Sequence, residues 1–147
     1  MIRLRPARDL DAGAVGAILS GFIDATDWMP RLHTRAEDVA HAAALIARGW
    51  VTVAEEAGKV LGFAANDGDE LDALYVGAAA QGRGVGTALL GHVRAGRGQL
   101  TLWTFQANTR AQQFYLKHGF AEIARTNGAR NDEKLPDIQY RWQREPV

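Results

Sequence analysis

The sequence predicts an α+β domain: a mixed sheet of six to seven strands with helices on its faces. Three observations carry this. Apolar spacing alternates between helix-like and strand-like periods in the order β-α-α-β-β-β-α-β-α-β-β. A helical segment separates the fourth strand from the fifth, so these two run parallel through a right-handed crossover. The 147 residues hold no repeat, low-complexity tract or linker, which gives one domain over residues 1–147 with chain enough for a sizeable core.

Ile2 to Arg5 reads as a first strand ending at Pro6. Asp9 or Asp11 is placed to cap a first helix, whose Val15, Ile18, Leu19 and Phe22 recur at i, i+3, i+4, i+7 and form one apolar stripe. Asp24 to Arg31 contains Trp28-Met29-Pro30 and reads as a loop. Thr34-Arg35-Ala36-Glu37 is a capping box opening a second helix, with Val39, Ala42, Ala43 and Ile46 toward the core and Gly49 as its stop. Trp50–Glu55, Val60–Ala65 and Glu70–Val76 follow as an antiparallel meander. Its turns are Glu56-Ala57-Gly58-Lys59 and Asn66-Asp67-Gly68-Asp69, the second being the strongest hairpin signal in the chain. A helix starts near Val85 with Val85, Leu89, Leu90 and Val93 on one face, and Gly96-Arg97-Gly98 ends it. Leu100–Phe105 is a strand. Asn108 caps the last helix, with Ala111, Phe114, Tyr115 and His118 on one stripe and Gly119 as its stop. Phe120–Thr126 and Ile138–Trp142 are the last strands, joined by a polar segment, Asn127 to Asp137, that reads as a mobile loop.

Composition removes several function classes. There is no cysteine, which excludes disulfides, thiolate catalysis and cysteine zinc sites. The only serine, Ser20, lacks the Gly-x-Ser-x-Gly elbow, so a covalent serine hydrolase does not fit. No His/Asp/Glu set has metal spacing, and the expectation is no metal. No apolar run is long enough to span a membrane, and Met1-Ile2-Arg3-Leu4-Arg5-Pro6 has no signal-peptide core, which gives a cytoplasmic expectation. The 17 basic residues balance the 17 acidic ones, against nucleic acid as a partner. The balance is uneven along the chain. Residues 1–73 hold 7 Lys/Arg against 12 Asp/Glu, and residues 74–147 hold 10 against 5. An anionic ligand on the second half and a cationic one on the first would fit.

The most informative segment is Leu74-Tyr75-Val76-Gly77-Ala78-Ala79-Ala80-Gln81-Gly82-Arg83-Gly84-Val85-Gly86-Thr87. A strand enters a loop of glycines, which let a ligand approach backbone N–H groups, and a helix N-terminus follows with unpaired amides and a positive dipole end. Together these suit a diphosphate. The nucleotide P-loop requires a lysine that is absent, and the dinucleotide fingerprint requires Gly-x-Gly-x-x-Gly, whereas the spacing here is Gly-x-Gly-x-Gly. What stands is Gln-x-x-Gly-x-Gly, filled by Gln81, Gly84 and Gly86. This resembles the acyl-CoA-binding motif of the GNAT superfamily of N-acetyltransferases. Downstream, Asn108-x-x-Ala111-x-x-Phe114-Tyr115-x-x-x-Gly119-Phe120 resembles that family's second motif. The two motifs cover residues 70–126, and the element order extends the likeness over the chain.

The resemblance implies acetyl-CoA as co-substrate and a primary amine, small molecule or peptide, as acceptor. It implies a splayed pair of parallel strands, Leu74-Tyr75-Val76 beside Leu100–Phe105, with pantetheine in the opening. The amides of Gln81, Gly82, Arg83, Gly84, Val85, Gly86 and Thr87 would take the diphosphate, with the Gln81 and Arg83 side chains as further contacts or, for Arg83, as a solvated loop residue. Leu74 or Val76 would present an N–H to the acetyl carbonyl. Asn108 matches the family's Asn beside pantetheine, and Asn108 and Ala111 open the helix that carries Tyr115. Tyr115 matches the family's general acid for the departing thiolate. Glu70 and Asp72 lie two apart on one strand face, next to the expected opening, and are the candidates for the base, directly or through water. Acceptor candidates come from the first half: Asp24, Asp27, Trp28, His33 and the Glu55–Glu56 turn, with Trp28 and His33 preferred. With no serine or cysteine nucleophile that fits, transfer would be direct in a ternary complex. A non-catalytic acyl-CoA-binding module is the alternative. The family's final strand often pairs at dimer interfaces, so a homodimer is also an expectation. The acidic first half favours a cationic small amine.

Overall fold

A computed structural model describes residues 1–146. One seven-stranded sheet runs β1 (Arg3–Pro6), β2 (Val51–Glu56), β3 (Lys59–Asp67), β4 (Glu70–Val76), β5 (Gln99–Phe105), β7 (Asp137–Gln143) and β6 (Ala121–Thr126) in spatial order. The helices are α1 (Ala12–Ala25), α2 (Arg35–Ala47), α3 (Val85–Arg94) and α4 (Thr109–Lys117). The predicted element order holds throughout, and β4 and β5 are the one parallel pair among the described strands.

Two apolar layers sandwich the sheet. On one face α1 and α2 bury Val15, Ala42, Leu45 and Ile46 against Val53 and Phe63. On the other, α3 and α4 bury Val85, Leu89, Leu90 and Tyr115 against Leu71, Leu100, Leu102 and Ile138. The expected apolar face of α2 is corrected at one position: Ala43 is exposed and Leu45 is buried. The larger side chain contributes more apolar area, so it takes the inner position. At the start of α1, Asp11 holds the N-cap position but makes no side-chain cap. Its carboxylate instead accepts from Arg5 at 2.8 and 3.0 Å and from the Arg8 amide at 2.7 Å. Those charge-assisted bonds hold the Asp11 carboxyl down at about 2. Thr34 and Glu37 form the predicted capping box, and Asn108 Oδ1 accepts from the Ala111 amide at 3.1 Å.

The sheet opens at the strand pair where the family resemblance implies an opening. β4 and β5 pair only at Glu70↔Thr101 and Leu71↔Leu102, though each strand has seven residues. Opposite β3 the register slips, with Asn66↔Leu71 followed by Ala65↔Ala73, so Asp72 is the extra residue of a bulge in β4. The bulge turns β4 away from β5, which stays with β7 from Gln99↔Gln143 to Phe105↔Asp137.

Candidate active site

The opening is lined on one side by backbone. The Gly77 N–H donates to Leu61 O of β3 at 2.8 Å. Amide directions alternate along a strand, so the Val76 and Leu74 N–H groups point the other way, into the gap that β5 leaves. Beyond them the chain turns through Gly82 (φ 78°) and Gly84 (φ 81°), and α3 starts at Val85. Only glycine adopts that left-handed backbone without strain. Gly84 brings no side-chain cap, so the first-turn amides of Val85, Gly86 and Thr87 keep no such partner, unlike the capped starts of α2 and α4. The loop Gln81–Gly84 is exposed, and Val85 is fully buried, so Val85 offers its amide alone.

Side chains contribute little to this cradle. Gln81 Nε2 donates back to Val76 O at 3.3 Å, fastening the loop to the end of β4. Arg83 pairs with Glu56 at 2.7 Å, so its guanidinium is engaged away from the amides. Thr87 Oγ1 lies 3.3 Å from His118 Nε2, and His118 stacks on Phe114 at 4.6 Å between centroids. Burial lowers the pKa of His118, with Arg94 and Lys117 adding to it. A Cβ on Gly86 would touch the Phe114 ring at 3.5 Å, which fixes how closely α3 and α4 approach.

Tyr115 is buried among Phe114, Phe120 and Tyr140, with ring centroids at 5.3, 5.3 and 6.4 Å. Desolvation pushes its phenol well above the ordinary value, and the Tyr75 phenol adds to that. Tyr75 comes from the other face of the sheet, where it packs on Phe22 at 5.0 Å and Phe63 at 5.7 Å. Its own phenol is pushed up to about 12, chiefly by burial and then by the Asp72 and Glu133 carboxylates. Both phenols therefore stay protonated at neutral pH and can donate a proton.

The two candidate bases part company. Glu70 is the first residue of β4, at the paired end of the strands and about 13 Å along the strand from Leu74. That corrects the expectation that it lies beside the opening. Asp72 sits at the bulge, just past the last β4–β5 pair, and its charge reaches Tyr75.

A cavity of about 630 Å³ adjoins the opening. Phe22, Met29, Tyr75 and Phe105 form its apolar wall, with Trp103 at its exposed rim. Thr126, Asn127, Arg130, Asn131 and Asp137 form much of its polar wall, and Asn108 borders it too. The segment read as a mobile loop is thus a wall, and it is tied down. Asn131 Nδ2 donates to Leu135 O at 2.7 Å and to Asp137 at 3.2 Å, the Leu135 amide donates to Asn131 Oδ1 at 3.2 Å, and Thr126 donates to Asp137. Residues 127–136, a ten-residue connector between antiparallel neighbours, were the available signal, because a link that long is seldom without a task.

Most of the first-half acceptor candidates lie elsewhere. His33 is exposed and faces Glu37 at 3.8 Å. Asp24 is taken by Arg31 and Arg35. Asp27 is exposed and lines no part of the cavity. Glu55 binds Arg5 at 2.8 Å, and Glu56 binds Arg83. Trp28 stands behind the wall and braces it edge-on against Phe22 (6.4 Å) and Phe105 (5.8 Å). Arg31 fixes this loop by donating to Asp24, to the buried Asp38 and to the Ser20 and His33 carbonyls. Among the described residues, no helix is long and apolar enough to cross a membrane, and no three His, Asp or Glu gather as a metal site.

A mixed sheet split at its parallel strand pair, with a row of open main-chain amides at the edge of the split, is the arrangement that the sequence resemblance implies. A family model described as "Acetyltransferase (GNAT) domain" matches residues 47–122, and the chain belongs to that family. It is 30% identical to the peptidyl-lysine N-acetyltransferase YjaB of Escherichia coli (strain K12) over 128 residues, 86% of each chain. It is 40% identical to the peptidyl-lysine N-acetyltransferase YiaC of the same organism over 75 residues, half of each chain. The solution structure of apo-YjaB from Escherichia coli superposes with a TM-score of 0.81 at 25% identity over 97% of each chain. YncA from Salmonella typhimurium, solved with its cofactor acetyl-CoA, superposes at 0.75 with 22% identity over 100% of this chain and 96% of that one.

Proposed function

We propose that the protein transfers an acetyl group from acetyl-CoA directly to a primary amine. The observation that carries this is the continuity of the backbone cradle at Gln81–Thr87 with the gap between β4 and β5, into which Leu74 and Val76 aim their amides. The relatives' names support a transferase and extend the acceptor class to peptide lysine.

In this reading the first-turn amides of α3 hold the diphosphate, and the β4–β5 gap takes the pantetheine arm. The Leu74 and Val76 N–H groups face the carbonyl oxygen and stabilise the oxyanion as charge develops there. Asp72, directly or through water, draws a proton from the acceptor ammonium. As the C–N bond forms and the C–S bond breaks, Tyr115 protonates the sulfur. One further proton leaves to solvent. Most of the rate gain comes from holding two substrates in line. Thiol release in the presence of acetyl-CoA and a panel of amines tests the assignment. Calorimetric binding of acetyl-CoA with no release to any amine would identify a non-catalytic acyl-CoA-binding module instead.

A further inference from the structure

Resting on the transferase reading, we propose that the acceptor is a small amine bearing its own carboxylate, of the free amino acid type, and that Arg130 receives that carboxylate. The cavity wall holds two formally charged side chains, Asp137 and Arg130. Asp137 is spent on structure, since the Thr126 hydroxyl and the Asn131 amide both donate to it. The amide oxygens of Asn108 and Asn127 are likewise taken, by the backbone N–H groups of Ala111 and Ala129. Among the described residues Arg130 has no ion pair within 4.0 Å, whereas Arg5, Arg31, Arg83 and Arg97 each hold a carboxylate.

Arg130 is therefore the charged group of the wall whose hydrogen-bonding capacity is open, in a chain that is neutral overall. Arg130 stands on a braced loop. A Cβ on Gly128 would lie 2.2 Å from Leu135 O, and Asn131 is bonded to both Leu135 and Asp137. Arg130 itself is exposed and its side chain makes no hydrogen bond among the described residues, so the guanidinium is free to turn to a bound carboxylate and make two parallel bonds. The Asp137 carboxylate, held between two neutral donors on the same wall, favours the acceptor's ammonium by its negative charge. Between these poles the wall is Phe22, Met29, Phe105 and Trp103, suited to an apolar body. A polyamine would set its second ammonium toward Arg130. This reverses the cationic-acceptor expectation drawn from the acidic first half, whose carboxylates are largely paired with arginines or exposed outside the cavity.

Thiol release is measured with acetyl-CoA and L-phenylalanine, L-phenylalaninamide, phenethylamine, spermidine and a lysine peptide as acceptors, for the wild-type chain, Arg130→Ala and Arg130→Lys. Acetyl-CoA binding is followed in parallel by calorimetry. The expected result is a kcat/KM for the acid at least tenfold above those of the amide, the amine, spermidine and the peptide. The amide is the less basic amine and the better nucleophile at neutral pH, so that order would come from the carboxylate. In Arg130→Ala the acid-to-amide ratio falls at least tenfold, and Arg130→Lys recovers part of it. An acid no better than its amide, a preference for spermidine or the peptide, or a ratio unchanged in Arg130→Ala overturns the proposal and leaves the transferase reading standing. Binding of acetyl-CoA without release to any acceptor overturns both, and so does failure to bind it.

Discussion

The connector from Gly77 to Gly84 and the connector from Asn127 to Pro136 border the same site but are built on different principles. The first takes its shape from backbone torsions. Gly82 and Gly84 hold left-handed φ values, Gln81 fastens to Val76, and the product is a row of open amides. The second takes its shape from side chains: Asn131, Thr126 and Asp137 bond one another, and Gly128 is pressed against Leu135. A backbone site binds whatever carries a diphosphate, whereas a side-chain wall selects by charge and shape. On the proposed reading, coenzyme recognition and acceptor choice are thereby separated, and substitutions should move one without the other.

The largest effect is expected at the proposed acid. Tyr115→Phe removes a proton donor and little volume, so kcat should drop about a hundredfold with both KM values nearly constant. Because Tyr115 is raised above its ordinary value, its ionisation adds no alkaline limb to the rate below pH 10. A pH profile of kcat checks the sign: loss of the acid comes only on deprotonation, which burial delays. A fall in acetyl-CoA affinity instead of kcat would make Tyr115 a packing residue of the coenzyme wall.

Gly128→Ala comes next. Its Cβ would meet Leu135 main-chain atoms at 2.2, 2.3 and 2.7 Å, at a φ of 85°, so the connector must shift. A shift of that order at a positioning wall lowers kcat/KM for the acceptor roughly thirtyfold. Calorimetric binding of acetyl-CoA should be unaltered, which also shows that the chain has folded. A matching loss of coenzyme affinity would mean that the two walls are one unit.

Gly84→Ala is the mirror test. Nothing lies within 4 Å of a Cβ there, so the penalty comes from the φ of 81° alone. A strained residue of this kind costs about 1–2 kcal/mol, which corresponds to a loss of acetyl-CoA affinity of about tenfold if the loop relaxes to escape it. The acceptor KM should stay put.

The same contrast explains what could be read from the chain. A positive φ leaves glycine as its mark at Gly82 and Gly84, and a close approach, here of Phe114, leaves it at Gly86, so the loop is legible in the sequence. The caps at Thr34 and Asn108 and the hairpin at Asn66–Asp69 are equally local signals. The split of β4 from β5 came from the family resemblance, because a bulge at Asp72 changes the register against β3 and leaves no mark in composition. The acceptor wall joins Phe22, Tyr75, Trp103 and Arg130, residues drawn from four elements or connectors, and no local pattern links them. Trp28 was found because an aromatic in a loop is conspicuous, but it braces the wall from behind. His33 and the first-half acids stand out by residue type, yet His33 faces Glu37, Asp24, Glu55 and Glu56 are held by arginines, and Asp27 is exposed outside the cavity. Charge summed over a half-chain says nothing about which charges are already paired.

The smallest effect is the sharpest check on the backbone account. Arg83 sits inside the coenzyme motif and carries the charge that a diphosphate would attract. It is nonetheless partly exposed and held by Glu56 at 2.7 Å, in a surface pair of the kind worth under about 1 kcal/mol. If the cradle is main chain, Arg83→Ala should change the acetyl-CoA KM by less than about threefold, well short of the loss in Gly84→Ala. Raising salt should weaken binding equally in the wild type and the variant, since the guanidinium contributes no separate contact. A tenfold rise in KM, or a salt dependence that disappears with the arginine, would mean that Arg83 leaves Glu56 for the diphosphate. The coenzyme wall would then rest on a side chain as the acceptor wall does, and the separation of the two would fail at its simplest point.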